Sequence, residues 1–384
     1  RIMSDRNSTS LSINFLRRKD VSTSDTDSSS DSIIRKYRQL DDLSYEIVLD
    51  QTPFYAEQGG QAGDKGRLES DDFIFNVEDA VFDGDDIVHY GKIEKGDINS
   101  VNKVVATIDG HRRESIRLNH TATHLLHKAL KQIIGEHVQQ AGSLVESNRL
   151  RFDFTHHEKV SKNDIYKIER MVNTVIRDNI SVETNVMDYD SAKKTGAVSM
   201  FGEKYGDTVR VVEVAGFSNE FCGGTHVNRT GDIGAFKIIS ESSLAAGIRR
   251  IEAITGDETV GWMNKRDSII QDIQKKMNCS SEDMYERIDA LLKSKIDLEK
   301  ELAKKQLSGG NNIVDQIMEK ADDINGYLIV IDEIEFAGNV LDLGDQIRNR
   351  LKNNGIGLIG MKNKNKPVVL CVVSDSLLEM FHAG

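Results

Sequence analysis

The chain has 384 residues, of which 38% are hydrophobic and 29% are charged, and its formal net charge is −12. This composition fits a globular protein of two or three domains and argues against nonspecific binding of nucleic acid. No apolar run approaches the ~20 residues that span a membrane, and three cysteines, an odd and sparse set, predict a reduced, cytoplasmic setting rather than a disulfide framework.

The first part of the chain divides into a polar linker and a β-rich region. Ser22–Ser32 contains only Ser, Thr and Asp, so we predict a linker over 1–44 with a disordered segment. Short strand-like runs between Gly, Asp and Asn turns then predict a small β-barrel or sandwich over 45–110. The predicted strands are Tyr45–Leu49, Phe73–Val77, Ile87–Tyr90 and Val104–Ile108. A glycine-rich segment, 54–66, lies among them, and its glycines permit close approach of a ligand or a set of tight turns.

Residues 111–256 mix helical and strand patterns and predict an α+β domain. The helices are expected at Ile116–Gly135 and Lys162–Asn179. The strands are expected at Leu150–Phe154, Thr208–Val214 and Phe236–Glu241.

Two long charged helices, Asp257–Met277 and Ser281–Leu307, are predicted next, with Gly309-Gly310 as their end. Apolar residues of the second helix follow 3-4 spacing, which is typical of a helical hairpin or coiled coil over 257–309 and also of an ordinary amphipathic helix. The helical hairpin, or the C-terminal module that follows it, would give the chain a route to self-association. Residues 310–384 predict a small α/β module with strands Gly326–Ile331 and Val368–Val373 and a helix near Leu341–Asn353. The predicted fold class is therefore α+β with several domains.

Two short motifs carry ligands of the kind that zinc prefers. His120 and His124 are four positions apart on a predicted helix, so both lie on one face. Cys222 and His226 are also four apart, and the two glycines between them permit a tight turn. Together they form a complete four-ligand zinc set, or three ligands with one open position. His127 shares the histidine face, so periodicity alone does not choose the ligand pair.

Basic residues gather in one stretch of this acidic chain. Between Gln346 and Lys366 there are six basic residues and no acidic one. Such an island is typical of a docking surface for a polyanion or of a solvated face. The six are Arg348, Arg350, Lys352, Lys362, Lys364 and Lys366.

Five motifs resemble the editing domain of alanyl-tRNA synthetases, in the order expected of that family. They are the glycine-rich segment 54–66, NHTATHLLH at 119–127, QAGSLV at 140–145, CGGTH at 222–226 and AAGIRRIE at 245–252. The resemblance runs from about Tyr45 to Gly384, because the helices and the C-terminal module are similar to the tail that follows the editing domain. It also implies an excised piece of a longer ligase, whose ATP-dependent aminoacylation domain would lie upstream.

The resemblance implies hydrolytic editing of alanine tRNA mischarged with serine or glycine. Under it, the zinc ligands are His120, His124, Cys222 and His226. Gln140 lines the pocket and shares a catalytic role with Cys222. The tRNA 3′ end is expected to approach Gln58, Gly59, Gly60 and Gln61, with Arg249 and Arg250 on its phosphate or ribose. Docking of the tRNA body is expected at Arg348, Arg350 and Lys352.

Other protein classes share some of these features. A freestanding deacylase that edits in trans carries both zinc motifs, and a threonyl-type synthetase carries a related editing fold. A tRNA-binding adaptor with a structural zinc ion has the same ligand set without hydrolysis.

Overall fold

A computed structural model describes residues 28–198, 206–336, 338–363 and 366–381. Residues 1–27 of the predicted linker, and Lys364 of the basic stretch, lie outside this range. The chain divides into two compact units, one ending at Asp267 and the other beginning at Ser268. No helix among the described residues is long and apolar enough to cross a membrane.

Six strands close into a barrel at the start of the first unit. Their order around the barrel is β1-β2-β5-β4-β3-β6. Alternate side chains point inward, and Phe54, Leu68, Phe73 and Phe75 are fully buried among them. The strands are β1 (Ser29–Gln39), β2 (Ser44–Leu49), β3 (Gly66–Ser70), β4 (Phe73–Asp83), β5 (Asp86–Lys95) and β6 (Lys103–Ile108).

Strand β1 corrects the prediction of a linker over 1–44. It pairs with β2 through Ile34–Gln39 and with β6 through Ser29–Ile33, and so closes the barrel. Its Ser- and Asp-rich beginning has no hydrophobic alternation to reveal a strand. The strand is held there by backbone hydrogen bonds to β6, which any residue except proline can make.

A helix-covered sheet follows the barrel in the same unit. The sheet order is β12-β13-β8-β7, and α1 and α2 pack on one face around Phe152, Phe154 and Ile251. The α+β prediction is confirmed for this part. The elements are α1 (Gly110–Ile134), β7 (Gln140–Val145), β8 (Leu150–Thr155), α2 (Lys162–Arg177), β12 (Phe236–Ala245) and β13 (Ile248–Thr255).

A second, three-stranded sheet lies between α2 and β12 in the chain, in the order β11-β10-β9. Strand β11 contacts α1 and leads directly into the CGGTH motif. Its elements are β9 (Val182–Asp188), α3 (Tyr189–Lys194), β10 (Thr208–Val214) and β11 (Ser218–Phe221).

Two long helices, α4 (Gly256–Met277) and α5 (Met284–Met318), follow. Helix α5 passes through Gly309-Gly310 without a break, so the predicted end of the helix there is wrong. Two glycines cost about 1 kcal/mol each in a helix, and the buried Val314 and Ile317 of the last turns offset this by packing in the C-terminal core. All side chains from Tyr285 to Leu302 are exposed, so the coiled coil stays a prediction.

The C-terminal module is a mixed four-stranded sheet in the order β14-β15-β16-β17. Strands β15 and β16 are parallel, with α6 as the connection between them. The sequence predicted β15, β17 and α6 but not β16. Glycines at the start of β16 interrupt the apolar alternation that indicates a strand. The elements are β14 (Asp322–Ile324), β15 (Tyr327–Glu335), α6 (Val340–Leu351), β16 (Gly355–Asn363) and β17 (Lys366–Val373).

One histidine is buried in the barrel wall. His89 Nδ1–H donates to the carbonyl oxygen of Ile47 at 3.0 Å, and Nε2 accepts from the Thr52 hydroxyl at 2.8 Å. The neutral imidazole satisfies both contacts, with Nδ1 as the donor and Nε2 as the acceptor. Burial lowers the pKa of His89 to about 4.

We predict that His89 makes the barrel less stable in mild acid. The unfolded chain takes up a proton near the ordinary histidine pKa of 6.5, whereas the folded chain does so only near pH 4, so stability falls as pH drops between those values. From pH 7 to pH 5 this amounts to about 2 kcal/mol. Hydrogen exchange of the β2 and β5 amides, corrected for the intrinsic rate, measures it.

The His89→Gln protein should lose less than about 0.5 kcal/mol over the same range, because Gln keeps a donor and an acceptor without titrating. The matched control is His111→Gln at an exposed position, which should keep the wild-type loss. An equal loss in the His89→Gln protein would contradict the assignment.

Candidate metal centre

Four side chains from two distant segments converge at one point of the first unit. His120 and His124 come from α1, and Cys222 and His226 come from the loop after β11. Their ligand atoms all lie within 4.8 Å of one another. Cys222 Sγ is 3.4 Å from His120 Nε2 and 3.2 Å from His226 Nε2. All four residues are buried, with at most 8% of their surface exposed.

Glycine is required in the loop that holds Cys222 and His226. A Cβ on Gly224 would overlap the His120 ring and the Gln61 amide. Two arginines hold the loop from outside by its carbonyl oxygens. Arg210 donates to the carbonyl of Gly224, and Arg117 Nε donates to that of His226 at 2.5 Å.

Each imidazole of the cluster has a partner on its Nδ1 atom. His120 Nδ1 is 2.7 Å from Gln61 Oε1, and His226 Nδ1 is 3.1 Å from Thr121 Oγ1. His124 Nδ1 is 2.7 Å from the Glu220 carboxylate. These contacts occupy the Nδ1 side of each ring and leave Nε2 as the atom available to a metal, which is how protein partners usually orient metal-binding histidines.

Glu220 contacts two histidines of α1 and was not among the site residues predicted from the sequence. Its second oxygen lies 3.0 Å from Nδ1 of His127. This contact separates His127 from the ligand pair and resolves which histidines of α1 converge. A signal was present in the sequence, because Glu220 is two residues before Cys222 and alternate residues of a strand share one face.

The charges in the cluster are strongly coupled. Burial opposes the charged form of the Cys222 thiol, but His120, His226 and His124 outweigh it and hold its pKa well below the ordinary value. Burial also disfavours the charged His124, but Glu220 and Cys222 raise its pKa to about 10. Burial, together with His120, lowers the pKa of His226 to about 3. The Glu220 pKa is lowered because His124 and His127 outweigh its burial.

The donor set fits a zinc ion. A tetrahedral ion with bonds of about 2.0–2.3 Å separates its ligand atoms by roughly 3.3–3.7 Å, close to the spacings around Cys222 Sγ. Nδ1 of His124 contacts Glu220 as an ion pair without hydrogen-bond geometry, and the buried Nε2 of His124 has no hydrogen-bond partner among the described residues. A bound cation would satisfy this atom and compensate the thiolate.

Not all of the other predicted site residues belong to this cluster. Gln61 belongs to it, whereas Gln140 is half-buried at the end of β7 opposite Val145. Arg249 and Arg250 are neighbours on β13 and therefore face opposite sides of the sheet. Arg249 pairs with Glu241, and Arg250 pairs with Asp153 at 2.7 Å. The predicted roles of these residues in substrate binding stay predictions.

The glycine-rich segment reaches the cluster from the barrel. Gly59 and Gly60 have φ angles of +60° and +85°, which favour glycine. The backbone of Gly60 pairs with Val145 of β7 (N···O 2.7 Å), and a Cβ there would overlap Ser143. The close approach is therefore to the protein's own β7, and it carries Gln61 into the cluster.

Comparison with known proteins identifies the class to which these regions belong. Residues 209–252, which contain Cys222 and His226, match the family described as "Threonyl and Alanyl tRNA synthetase second additional domain". Residues 25–112 match the family "tRNA synthetases class II (A)". The barrel and the Cys222–His226 half of the cluster thus match regions of class II aminoacyl-tRNA synthetases, the second of them an additional domain of the threonyl and alanyl enzymes.

Within this class, the chain is similar to alanine–tRNA ligases. Over 334 residues, or 86% of the chain, the sequence is 43% identical to an alanine–tRNA ligase of Legionella pneumophila strain Corby and 42% identical to that of strain Lens. The chain spans 39% of the length of these relatives. It is homologous to alanyl-tRNA synthetases over that part, which confirms the family resemblance.

We predict one zinc ion per chain, bound more tightly as pH rises. At pH 7 His124 carries a proton because its pKa is about 10, and zinc must displace that proton from Nε2. Between pH 6.5 and 8 the apparent zinc affinity should therefore rise at least about tenfold per pH unit. Competition with a chromophoric chelator, corrected for the chelator's own protonation, measures this.

Two cysteine variants test the predicted stoichiometry of one zinc ion per chain. Reduced Cys222→Ala protein should lose zinc, whereas Cys371→Ala, at the exposed cysteine of β17, should retain one ion. Full zinc content in the Cys222→Ala protein, or an affinity independent of pH, would count against this ligand set.

Proposed function

We propose that this chain hydrolyses the ester bond of alanine tRNA charged with serine or glycine, as the editing part of an alanyl-tRNA synthetase. The observation that carries the proposal is the buried three-histidine, one-cysteine cluster inside a region homologous to alanine–tRNA ligases. The match of 209–252 to the additional domain of threonyl and alanyl synthetases supports it further.

The difficulty of distinguishing serine from alanine supports a separate hydrolytic site. Serine is alanine with one added hydroxyl, and a pocket that fits alanine discriminates weakly against such a small addition. A second site that hydrogen-bonds the serine hydroxyl would leave polar groups unpaired with alanine, and so would spare the correct product.

The chain's own residues supply a rigid, water-poor setting for this chemistry. Zinc held in the cluster with one coordination position open would polarise the ester carbonyl or acidify a water molecule. The lowered pKa of Cys222 keeps its thiolate available as a ligand. The Nδ1 partners keep the three imidazoles in one orientation, so little reorganisation is needed when charge develops on the ester.

We predict that this chain deacylates seryl- and glycyl-charged alanine tRNA and leaves alanyl-charged tRNA intact. Cys222→Ala should lower the rate by about 100-fold or more, because it removes a ligand of the cluster, with tRNA affinity nearly unchanged. Release of labelled amino acid from the three charged tRNAs measures the rates, and Cys371→Ala is the matched control.

Two other results would reject this function. Hydrolysis of the alanyl ester as fast as the seryl ester would exclude editing. Equal loss of tRNA affinity and hydrolysis in the Cys222→Ala protein would point to an adaptor with a structural zinc ion. A freestanding deacylase shares the same chemistry, but the match to ligases over 86% of the chain favours the synthetase.

We also propose that the C-terminal module docks the body of the tRNA. Arg348 and Arg350 lie in the last turn of α6, and Lys352 follows it. Arg350 pairs with Asp315 at 2.5 Å and Arg348 is 3.6 Å from Asp345, both in exposed positions, where such pairs exchange easily for phosphate contacts. Helix α5 precedes the module and, with 35 residues, is about 52 Å long at ~1.5 Å per residue.

We predict that neutralising Arg348, Arg350 and Lys352 together to Gln weakens tRNA binding several-fold and reduces the salt dependence of binding, because each phosphate contact releases counterions. Hydrolysis at saturating tRNA should be nearly unchanged. Binding titrations at several salt concentrations measure both effects.

A variant with the same charge change on α5 provides the control. Arg287, Lys293 and Lys300 are exposed, and their change to Gln should leave the salt slope as it is. If both triple variants behave alike, only net charge matters and the basic stretch is a solvated face.

A further inference from the structure

The side chain of Gln61 connects the barrel to the metal cluster. Gln61 is fully buried, and its Oε1 lies 2.7 Å from His120 Nδ1. The same Oε1 accepts from the backbone N–H of Thr225 at 2.9 Å. Its Nε2 donates to the Thr225 hydroxyl at 3.0 Å. One amide thus touches both ligand-bearing segments.

These contacts determine which way the amide points. The backbone N–H of Thr225 can only donate, so the Gln61 atom beside it must be the oxygen. His120 Nδ1 faces the same oxygen and must therefore carry the hydrogen. This leaves the lone pair of His120 on Nε2, the atom 3.4 Å from Cys222 Sγ.

We propose that Gln61 is a positioning residue that fixes the tautomer and ring orientation of His120, rather than a contact for the tRNA 3′ end. The inference deepens the proposed function, because it concerns the same site. The barrel would then orient a ligand of the metal centre through Gln61, although it contributes no ligand itself.

The placement of Gln61 is enforced on both sides of its segment. Ala62 N–H donates to the carbonyl of Val145 at 3.0 Å, on β7. Asp64, three residues on, forms a buried ion pair with Arg113 at the start of α1, and its carboxylate also accepts from the backbone N–H of Tyr55 at 2.7 Å. The segment is therefore anchored both to β7 and to the helix that carries His120.

Three variants of the whole chain test the role. Gln61→Leu removes the acceptor, and Gln61→Glu keeps an acceptor for His120 and for Thr225. Gln39→Leu makes the same change as the first variant at an exposed barrel position. Zinc affinity is measured by chelator competition, and the electronic spectrum of the cobalt-substituted protein reports the ligand geometry.

We expect Gln61→Leu to bind zinc 10- to 100-fold more weakly, the range found for partners of metal-binding histidines. Its cobalt d–d bands should shift, and the charge-transfer band of the Cys222 thiolate should persist. Gln61→Glu should restore the affinity to within a few-fold of wild type, and Gln39→Leu should match wild type. Rescue by Glu separates positioning from loss of folding, because a misfolded chain would not be rescued.

Wild-type zinc affinity and an unchanged cobalt spectrum in the Gln61→Leu protein would overturn the inference. A loss of tRNA affinity without a loss of zinc affinity would also overturn it, and would support the predicted contact of Gln61 with the tRNA 3′ end. The proposed function is tested separately by deacylation: a chain that needs Gln61 for zinc but does not hydrolyse seryl-tRNA would reject the function and leave the inference standing.

Discussion

The structure of the first unit depends on the burial of three imidazoles and one thiolate at a single point. Buried polar groups are costly unless each has a partner, and the chain supplies these partners from separate elements. Gln61 comes from the barrel, Thr121 from α1 itself and Glu220 from β11. The orientation of each ligand is therefore set by tertiary contacts. A protonated His124 compensates the Cys222 thiolate, and zinc would take over that role on displacing the proton, so metal binding and proton release are linked.

A buried ion pair ties the barrel to the helix that carries the histidines. Arg113 at the start of α1 donates from Nε to both oxygens of Asp64 at 2.9–3.0 Å, and its terminal nitrogen also donates to the carbonyl of Pro53 at 2.9 Å. Such a pair adds little net stability, but the removal of one partner leaves a buried charge and costs about 3–5 kcal/mol. Its effect here is geometric, because it fixes the glycine-rich segment against the start of α1.

Much of the fold could be predicted from hydrophobic periodicity, because a helix or strand that buries one face needs apolar residues at regular spacing. Helices α1 and α2 and strands β2, β6, β8 and β10 lie close to their predicted positions. The failures have physical causes. Strand β1 is held by backbone pairing without an apolar pattern, and α5 continues through Gly309-Gly310 because its last turns pack in the C-terminal core.

The candidate ligands could be named from the sequence, since i,i+4 spacing on a helix and a Cys-Gly-Gly-Thr-His turn each bring two ligands together locally. Periodicity left His124 and His127 as alternatives, and the family resemblance selected His124. The sequence also determined the family, through motifs in a fixed order. Only the tertiary structure decided that His127 faces Glu220 rather than the cluster, that Gln61 belongs to the metal centre, and that Arg249 and Arg250 are engaged on opposite sides of a sheet. These contacts join residues roughly 60 to 160 positions apart or depend on strand pairing. No local pattern encodes them, because their energy arises only when distant segments are packed together and water is excluded.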